Sequence, residues 1–247
     1  MNLADVTAVI LTKNEERRLG RTLEALPKGM PVLVLDAEST DATQRIARDA
    51  GATLLIRRWT DFVDSRRFAL AQVTTPWAFA VDADEAFDER LRTALAEASE
   101  DLDAFLVRRD TAFAGKPLRM WRGERLLRCF RVAAVRVEAF PTVGGDAALH
   151  ERYVCDGNVG ELAGCLEHDS YADRHEYRRK FACYTSIEAR GLPPSFARLA
   201  RESSLIPWRL LKFGLVRGTV LDGPRGWYAM WWSALYPAVV AWRAWRG

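Results

Sequence analysis

Short apolar runs alternate with helix-patterned segments through the first 108 residues, and this alternation constrains the fold more than any other feature of the chain. Val6–Leu11, Val32–Leu35, Ala52–Ile56, Trp77–Val81 and Ala104–Val107 read as strands. Between them, Glu15–Leu26, a segment capped by Ser39 or Thr40 and running to Ala50, Asp64–Val73 and Asp88–Ser99 carry helical periodicity. A parallel neighbour strand needs a crossover, so short strands separated by such helices build βαβ units and a mostly parallel sheet. The expected class is α/β, a Rossmann-like, mostly parallel central sheet flanked by helices. Ligands of such sheets bind beyond the carboxyl ends of the strands.

Candidate site residues fall at those ends. Asp82-Ala83-Asp84-Glu85 follows the Trp77–Val81 run directly. Residues i and i+2 of an extended segment point the same way, so Asp82 and Asp84 are expected to share a direction. Mg²⁺ and Mn²⁺ favour oxygen ligands, and Mg²⁺ is commonly held by one or two carboxylates together with substrate phosphates. The competing account is a solvated acidic turn ahead of the helix at Asp88. Thr12, Asn14 and Glu15 end the first strand; there Asn14 can equally serve as a helix N-cap, with Glu15 and Glu16 facing the helix dipole. Asp36 ends the second strand, where a carboxylate can accept from a nucleobase N–H, and Ser39-Thr40-Asp41 reads as a capping motif. Arg66 and Arg67 offer guanidinium forks that match a diphosphate, or simply form a solvated helix face.

Beyond residue 110 the alternation stops. Segments 126–132, 135–140 and 149–155 look like short strands, Asp173–Arg190 is helical, and more helix follows Pro193-Pro194 from Ser195 to Leu215. The organisation expected is a first domain over 1–172, divided at 108/109, and a helical extension over 173–247. A net charge of +3 is too small to argue for nucleic acid as a partner. Cys129, Cys155, Cys165 and Cys183 lack metal or disulfide spacing and are expected to be buried, reduced thiols. The start of the chain has no basic region ahead of an apolar run, so a secretory signal is not expected.

Five of the nine tryptophans lie in the last 21 residues. Gly226–Trp242 is uncharged but contains Pro237, and it is shorter than the roughly 20 residues of a spanning helix. Basic residues precede it from Arg198 to Arg225, and Arg243 and Arg246 follow. That combination suits docking on an anionic inner leaflet, or a helix packed on protein.

Leu11-Thr-Lys-Asn-Glu-Glu16, Val34-Leu-Asp-Ala-Glu-Ser-Thr-Asp-Ala-Thr43, Ala80-Val-Asp-Ala-Asp-Glu85 and Leu149-His-Glu151, in this order, resemble family 2 glycosyltransferases of the GT-A fold. Arg67-Phe-Ala-Leu70 and Glu167-His-Asp-Ser-Tyr-Ala-Asp173 narrow the resemblance to the branch of lipopolysaccharide core β-1,4-glucosyltransferases. The resemblance implies a metal-dependent, inverting hexosyltransferase on the cytoplasmic side of the inner membrane. Its donor would be a nucleotide-diphosphate sugar, most simply a UDP-sugar, and its acceptor a lipid-linked or core oligosaccharide. By that resemblance Thr12, Asn14 and Glu15 line the uridine and ribose, Asp36 contacts uracil, and Arg66 and Arg67 meet the diphosphate. Asp82 lies nearer the ribose, Asp84 holds Mg²⁺ or Mn²⁺, His168 joins the metal or the acceptor side, and Glu151 is the catalytic base with His150 orienting it. Glu38 departs from the family, standing where members carry glycine. Two other readings remain open at this point. A nucleotidyltransferase would want a glycine-rich loop where Thr12–Glu16 stands, and a non-catalytic, membrane-docked scaffold would keep the fold without turnover.

Overall fold

The computed structural model describes residues 1–139 and 151–247. It divides into two compact units, one of Met1–Asp110, Gly123–Ala139 and Glu151–His168, the other including Thr111–Arg122 and Asp169–Gly247.

In the first unit the chain runs β1 (Val6–Thr12), α1 (Leu19–Ala25), β2 (Val32–Asp36), α2 (Thr43–Asp49), β3 (Thr53–Ile56), α3 (Phe62–Ala71), β4 (Trp77–Asp82), β5 (Glu85–Phe87), α4 (Glu89–Ala96) and β6 (Ala104–Phe113). After β7 (Lys116–Pro117), which with the end of β6 belongs to the second unit, come β8 (Glu124–Arg131), β9 (Val135–Ala139), β10 (Glu151–Cys155) and β11 (Val159–Tyr171), whose last residues, from Asp169, also belong to the second unit. The sheet order is β3-β2-β1-β4-β8-β6-β11-β5. β3, β2, β1 and β4 pair in parallel, which bears out the expected βαβ reading. β8 turns the ladder antiparallel against β4, as β5 does against β11.

β1 and β4 are interior strands of the sheet, each with a neighbour on both sides and helices over both faces, so their side chains are buried almost without interruption. That is why they read as continuous apolar runs. Val6, Ala8, Ile10, Trp77, Phe79 and Val81 pack on one face with Leu91 and Leu95 of α4. Val9, Ala78 and Ala80 pack on the other with Ala69 and Leu70 of α3. Asp61 and Asp88 cap α3 and α4 by accepting from Asp64 N and Leu91 N, each at 2.7 Å.

Several elements differ from the sequence expectation. The first helix begins at Leu19, not Glu15, because Arg18 N and Leu19 N both fold back on the Glu15 carbonyl and make a turn first. Asn14 is therefore no N-cap; its φ is +54°. β5 and β11 escaped the sequence reading. Only Leu162, Leu166 and Ser170 are buried along most of β11, a four-residue spacing that hides the period of two. Gly164 permits the close approach of α4 to this strand. Its φ is +100°, and a Cβ there would stand 2.3 Å from Leu91 N.

The second unit includes α5 (Arg174–Arg190), α6 (Phe196–Ser204), α7 (Ile206–Leu211) and α8 (Gly223–Arg246). The helix expected over Ser195–Leu215 is thus two helices and a π-turn at Lys212–Val216, broken where Pro207 starts α7. α8 is longer than its uncharged stretch and continues through Pro237. An aromatic cluster forms the core: Phe113 meets Tyr177 edge-on at 5.6 Å and stacks on Tyr228 at 5.8 Å. The cysteine expectation needs correction. All four are free thiols, yet only Cys129 is buried, and Cys183 is exposed because α5 turns Tyr177, Phe181 and Thr185 inward instead.

Candidate active site

Register brings the carboxyl ends of three strands to one edge of the sheet. Thr12 of β1 pairs with Asp36 of β2, and Leu11 pairs with Asp82 of β4. The Thr12 hydroxyl is buried there without a hydrogen-bond partner among the described residues.

Two loops leave β1 and β2 and are stitched together by neutral and acidic side chains. Asn14 N donates to Ser39 Oγ at 2.8 Å, Glu15 N to Thr43 Oγ1 at 2.8 Å, and Glu16 N to Asp41 Oδ2 at 3.2 Å. In return Asn14 Oδ1 accepts from Thr40 N at 2.9 Å, and Glu16 Oε2 accepts from Ala42 N at 3.0 Å. Asp36 is fully buried and accepts from Ser39 N at 2.9 Å, Gln44 Nε2 at 2.7 Å and the Ser39 hydroxyl. Ser39, Thr40, Asp41 and Thr43 thus knit two loops; neither Ser39 nor Thr40 caps α2, which starts at Thr43 with Ala42 at its N-cap. Glu38 adopts φ +56°, a left-handed conformation that costs a side-chain-bearing residue about 1 kcal/mol or more. It is the backbone conformation that glycine adopts most readily.

The acidic turn is organised differently. Asp82 Oδ1 accepts from Arg66 of α3 at 2.6 Å, and its Oδ2 accepts from Arg128 of β8 at 2.8 Å. Glu85 is wholly buried; its Oε1 accepts from Arg128 at 2.7 Å and from Arg109 of β6 at 3.3 Å, while its Oε2 takes Asp82 N at 3.0 Å. Arg109 also pairs with Glu124 at 2.6 Å. Burial alone would raise the Asp82 carboxyl, but Arg128 and Arg66 outweigh it and hold it well below the usual carboxylate range. Burial prevails at Glu85, helped by Asp82, and its carboxyl is raised.

Asp84 takes another partner, the Nε2 of His168 at 3.3 Å. His168 lies opposite Glu85 where β11 pairs with β5, so the antiparallel edge of the sheet delivers it to the turn. Asp82 and Asp84 therefore do not share one direction of contact, as an extended i, i+2 pair would. Arg66 is buried against Asp82, whereas the exposed Arg67 donates to the Val137 carbonyl of β9 at 2.8 Å and 3.2 Å. Glu151 opens β10 opposite Ala139; its side chain, and Leu149 and His150 before it, lie outside the described residues. Sequence reasoning missed Arg109, Arg128 and the role of Glu85. A charged residue amid Leu126-Leu127-Arg128-Cys129-Phe130 was the available signal, since an arginine is seldom buried unless paired.

Among the described residues no group of three or more His, Cys, Asp or Glu converges on one point. Asp84 and His168 fit a divalent cation as two protein ligands, one carboxylate oxygen and one imidazole, with the remaining positions left to phosphate and water.

Comparison with known proteins identifies the family. The glycosyl transferase family 2 profile matches residues 7–156. An uncharacterised glycosyltransferase of Rickettsia typhi is 27% identical over 231 residues, covering 86% of this chain and 77% of that protein. The lipopolysaccharide core biosynthesis glycosyltransferase LpsC of Rhizobium meliloti is 33% identical over 175 residues, covering 66% of this chain and 62% of LpsC. Among solved structures, S. aureus TarS 1–349 in complex with UDP-GlcNAc aligns over 97% of this chain and 82% of that one, at 17% identity and a TM-score of 0.48. The chain belongs to glycosyl transferase family 2. It is a glycosyltransferase with an α/β domain.

Proposed function

We propose that the chain is a metal-dependent, inverting hexosyltransferase that uses a nucleotide-diphosphate sugar, most simply a UDP-sugar, and a lipid-linked or core oligosaccharide acceptor. The observation that carries this reading is the Asp84–His168 pair at the end of β4, beside the loops that follow β1 and β2. Mg²⁺ or Mn²⁺ held by Asp84 and His168 would supply Lewis-acid neutralisation of the departing diphosphate. Thr12, Asn14, Glu15 and Asp36 shape the nucleoside pocket, Asp36 through the loop it braces. Arg66 adds positive charge next to Asp82, and Arg67 supports the neighbouring β9 carbonyl. Glu151 takes the proton from the attacking acceptor hydroxyl, as inversion requires of one carboxylate. The likeness to LpsC supports a lipopolysaccharide-core-like acceptor.

Peripheral contact with the inner face of the cytoplasmic membrane belongs to the same reading. No helix among the described residues is long and apolar enough to cross a membrane. Trp227, Trp231, Trp242 and Trp245 of α8 are nonetheless exposed, as are Trp208 and Leu215, and the arginines from Arg198 to Arg246 supply the charge that anionic headgroups attract. Incubation with UDP-glucose, UDP-GlcNAc and UDP-galactose, Mn²⁺ and truncated lipopolysaccharide core tests the assignment. Sugar transfer with release of UDP is the expected result; release of pyrophosphate from a sugar phosphate and nucleoside triphosphate would point to nucleotidyl transfer instead.

A further inference from the structure

The motif that marks this turn contains three acids, yet the structure gives them unequal work. Asp82 and Glu85 are held by guanidinium groups, and only Asp84 has a histidine as its partner. One group enforces the division. The Nη2 atom of Arg128 lies 2.8 Å from Asp82 Oδ2 and 2.7 Å from Glu85 Oε1, so a single nitrogen ties the first acid of the turn to the last. Arg128 comes from β8, which pairs with β4 through Phe79 and Cys129. Its backbone is thereby fixed relative to the strand that carries Asp82. Arg128 and Glu85 are both buried.

Among the described residues, Arg66, Arg109 and Arg128 face Asp82, Glu85 and Glu124, while Asp84 pairs with His168 instead. A cation arriving at the turn would have to displace a buried guanidinium to reach Asp82 or Glu85, but only an imidazole to reach Asp84. Arg66 pairs with Asp82, and Arg109 reaches Asp82 and Glu85 at 3.7 and 3.3 Å; Arg128 bridges the same two carboxylates by the shorter contacts, 2.8 and 2.7 Å.

Resting on the functional reading above, we propose that Arg128 is a positioning residue of the transferase site. It pins Asp82 to Glu85, keeps both out of the cation's reach and sets the direction of Asp84. It touches neither sugar nor phosphate. Lysine keeps the charge but lacks the planar fork, so it replaces Arg128 only in part.

Arg128→Met, Arg128→Lys and the double variant Arg128→Met/Glu85→Gln test this, the double variant because it removes the buried carboxylate that Arg128→Met alone would strip of its nearest guanidinium. Melting temperature reports folding, steady-state kinetics report function, and hydrogen exchange at residues 82–87 of the ligand-free protein reports the turn. The double variant should melt close to wild type, yet lose about a hundredfold in kcat, the scale of a misplaced catalytic group. Its donor KM should stay within about threefold, because ground-state binding is unaltered. Exchange at 82–87 should quicken by about tenfold or more while β1 stays protected. Arg128→Lys should recover part of both losses. Wild-type kcat in the double variant, or unchanged exchange at 82–87, overturns the proposal. A wild-type protein that transfers no sugar would defeat the functional reading, while the exchange experiment would still decide the role of Arg128.

Discussion

Two polar constructions stand side by side at the carboxyl edge of the parallel strands, and they are built on opposite principles. The loops after β1 and β2 are joined mainly by hydrogen bonds from backbone amides to short side chains, Asn14, Ser39, Asp41 and Thr43 among them. The turn after β4 is held by three arginines from α3, β6 and β8. Each hydrogen bond of the first kind contributes roughly 1 kcal/mol, and many share the work. In the second kind a few buried ion pairs are decisive, since removing one partner strands a charge and costs about 3–5 kcal/mol. The loops should tolerate piecemeal change; the turn should not.

Predictions that probe this contrast run from large to small. Asp84→Ala should reduce transfer by about 10³-fold or more, the loss expected when the main stabiliser of leaving-group charge is removed, with little change in melting temperature. Initial-rate assays of UDP release measure it. Asn14→Ala should leave the Thr40 amide without its acceptor, cost about 1–3 kcal/mol in urea unfolding and raise the donor KM severalfold, with transfer persisting. Loss of all activity in Asn14→Ala would show the loops to be as brittle as the turn. Acid should also single out the turn. Because Arg128 and Arg66 depress the Asp82 carboxyl below its unfolded value near 3.9 despite its burial, its stabilising contribution is complete above that pH and is lost as pH falls toward the lower folded value. The difference in urea midpoint between wild type and Asp82→Asn should therefore shrink between pH 5 and pH 2. The smallest effect has the opposite sign: Glu38→Gly relieves φ +56° and should raise stability by up to about 1 kcal/mol, read from the same urea curves.

Much of this was legible in the residues. Four of the five strands expected in the first 108 residues are observed within one residue of their ends, and the fifth, β6, runs on to Phe113; β1 and β4, buried on both faces, cannot hide their apolar runs. Pairing β1 with β2 and β4 then brings Thr12, Asp36 and Asp82 to one edge, as the position of each at a strand end implies. The arginine lattice was not legible. Arg66, Arg109 and Arg128 come from three elements far apart in sequence, and only antiparallel pairing of β6 and β8 onto β4 gathers them. β5 is three residues long and carries no periodicity, so the delivery of His168 to Asp84 through β11 followed from the fold alone. Asn14 misled as an N-cap because its short polar side chain serves a cap and a left-handed loop equally well.

The central claim is that Asp84, with His168 of β11, would hold a cation against a nucleotide diphosphate, while Asp82 and Glu85 are held by arginines. Calorimetric titration of UDP into wild type and Asp84→Asn, each with Mn²⁺ and with EDTA, tests it most directly. Mn²⁺ should tighten UDP binding by about tenfold or more in wild type and have no such effect in Asp84→Asn. Equal UDP affinity with Mn²⁺ and EDTA in wild type, or an undiminished Mn²⁺ effect in Asp84→Asn, would contradict the account.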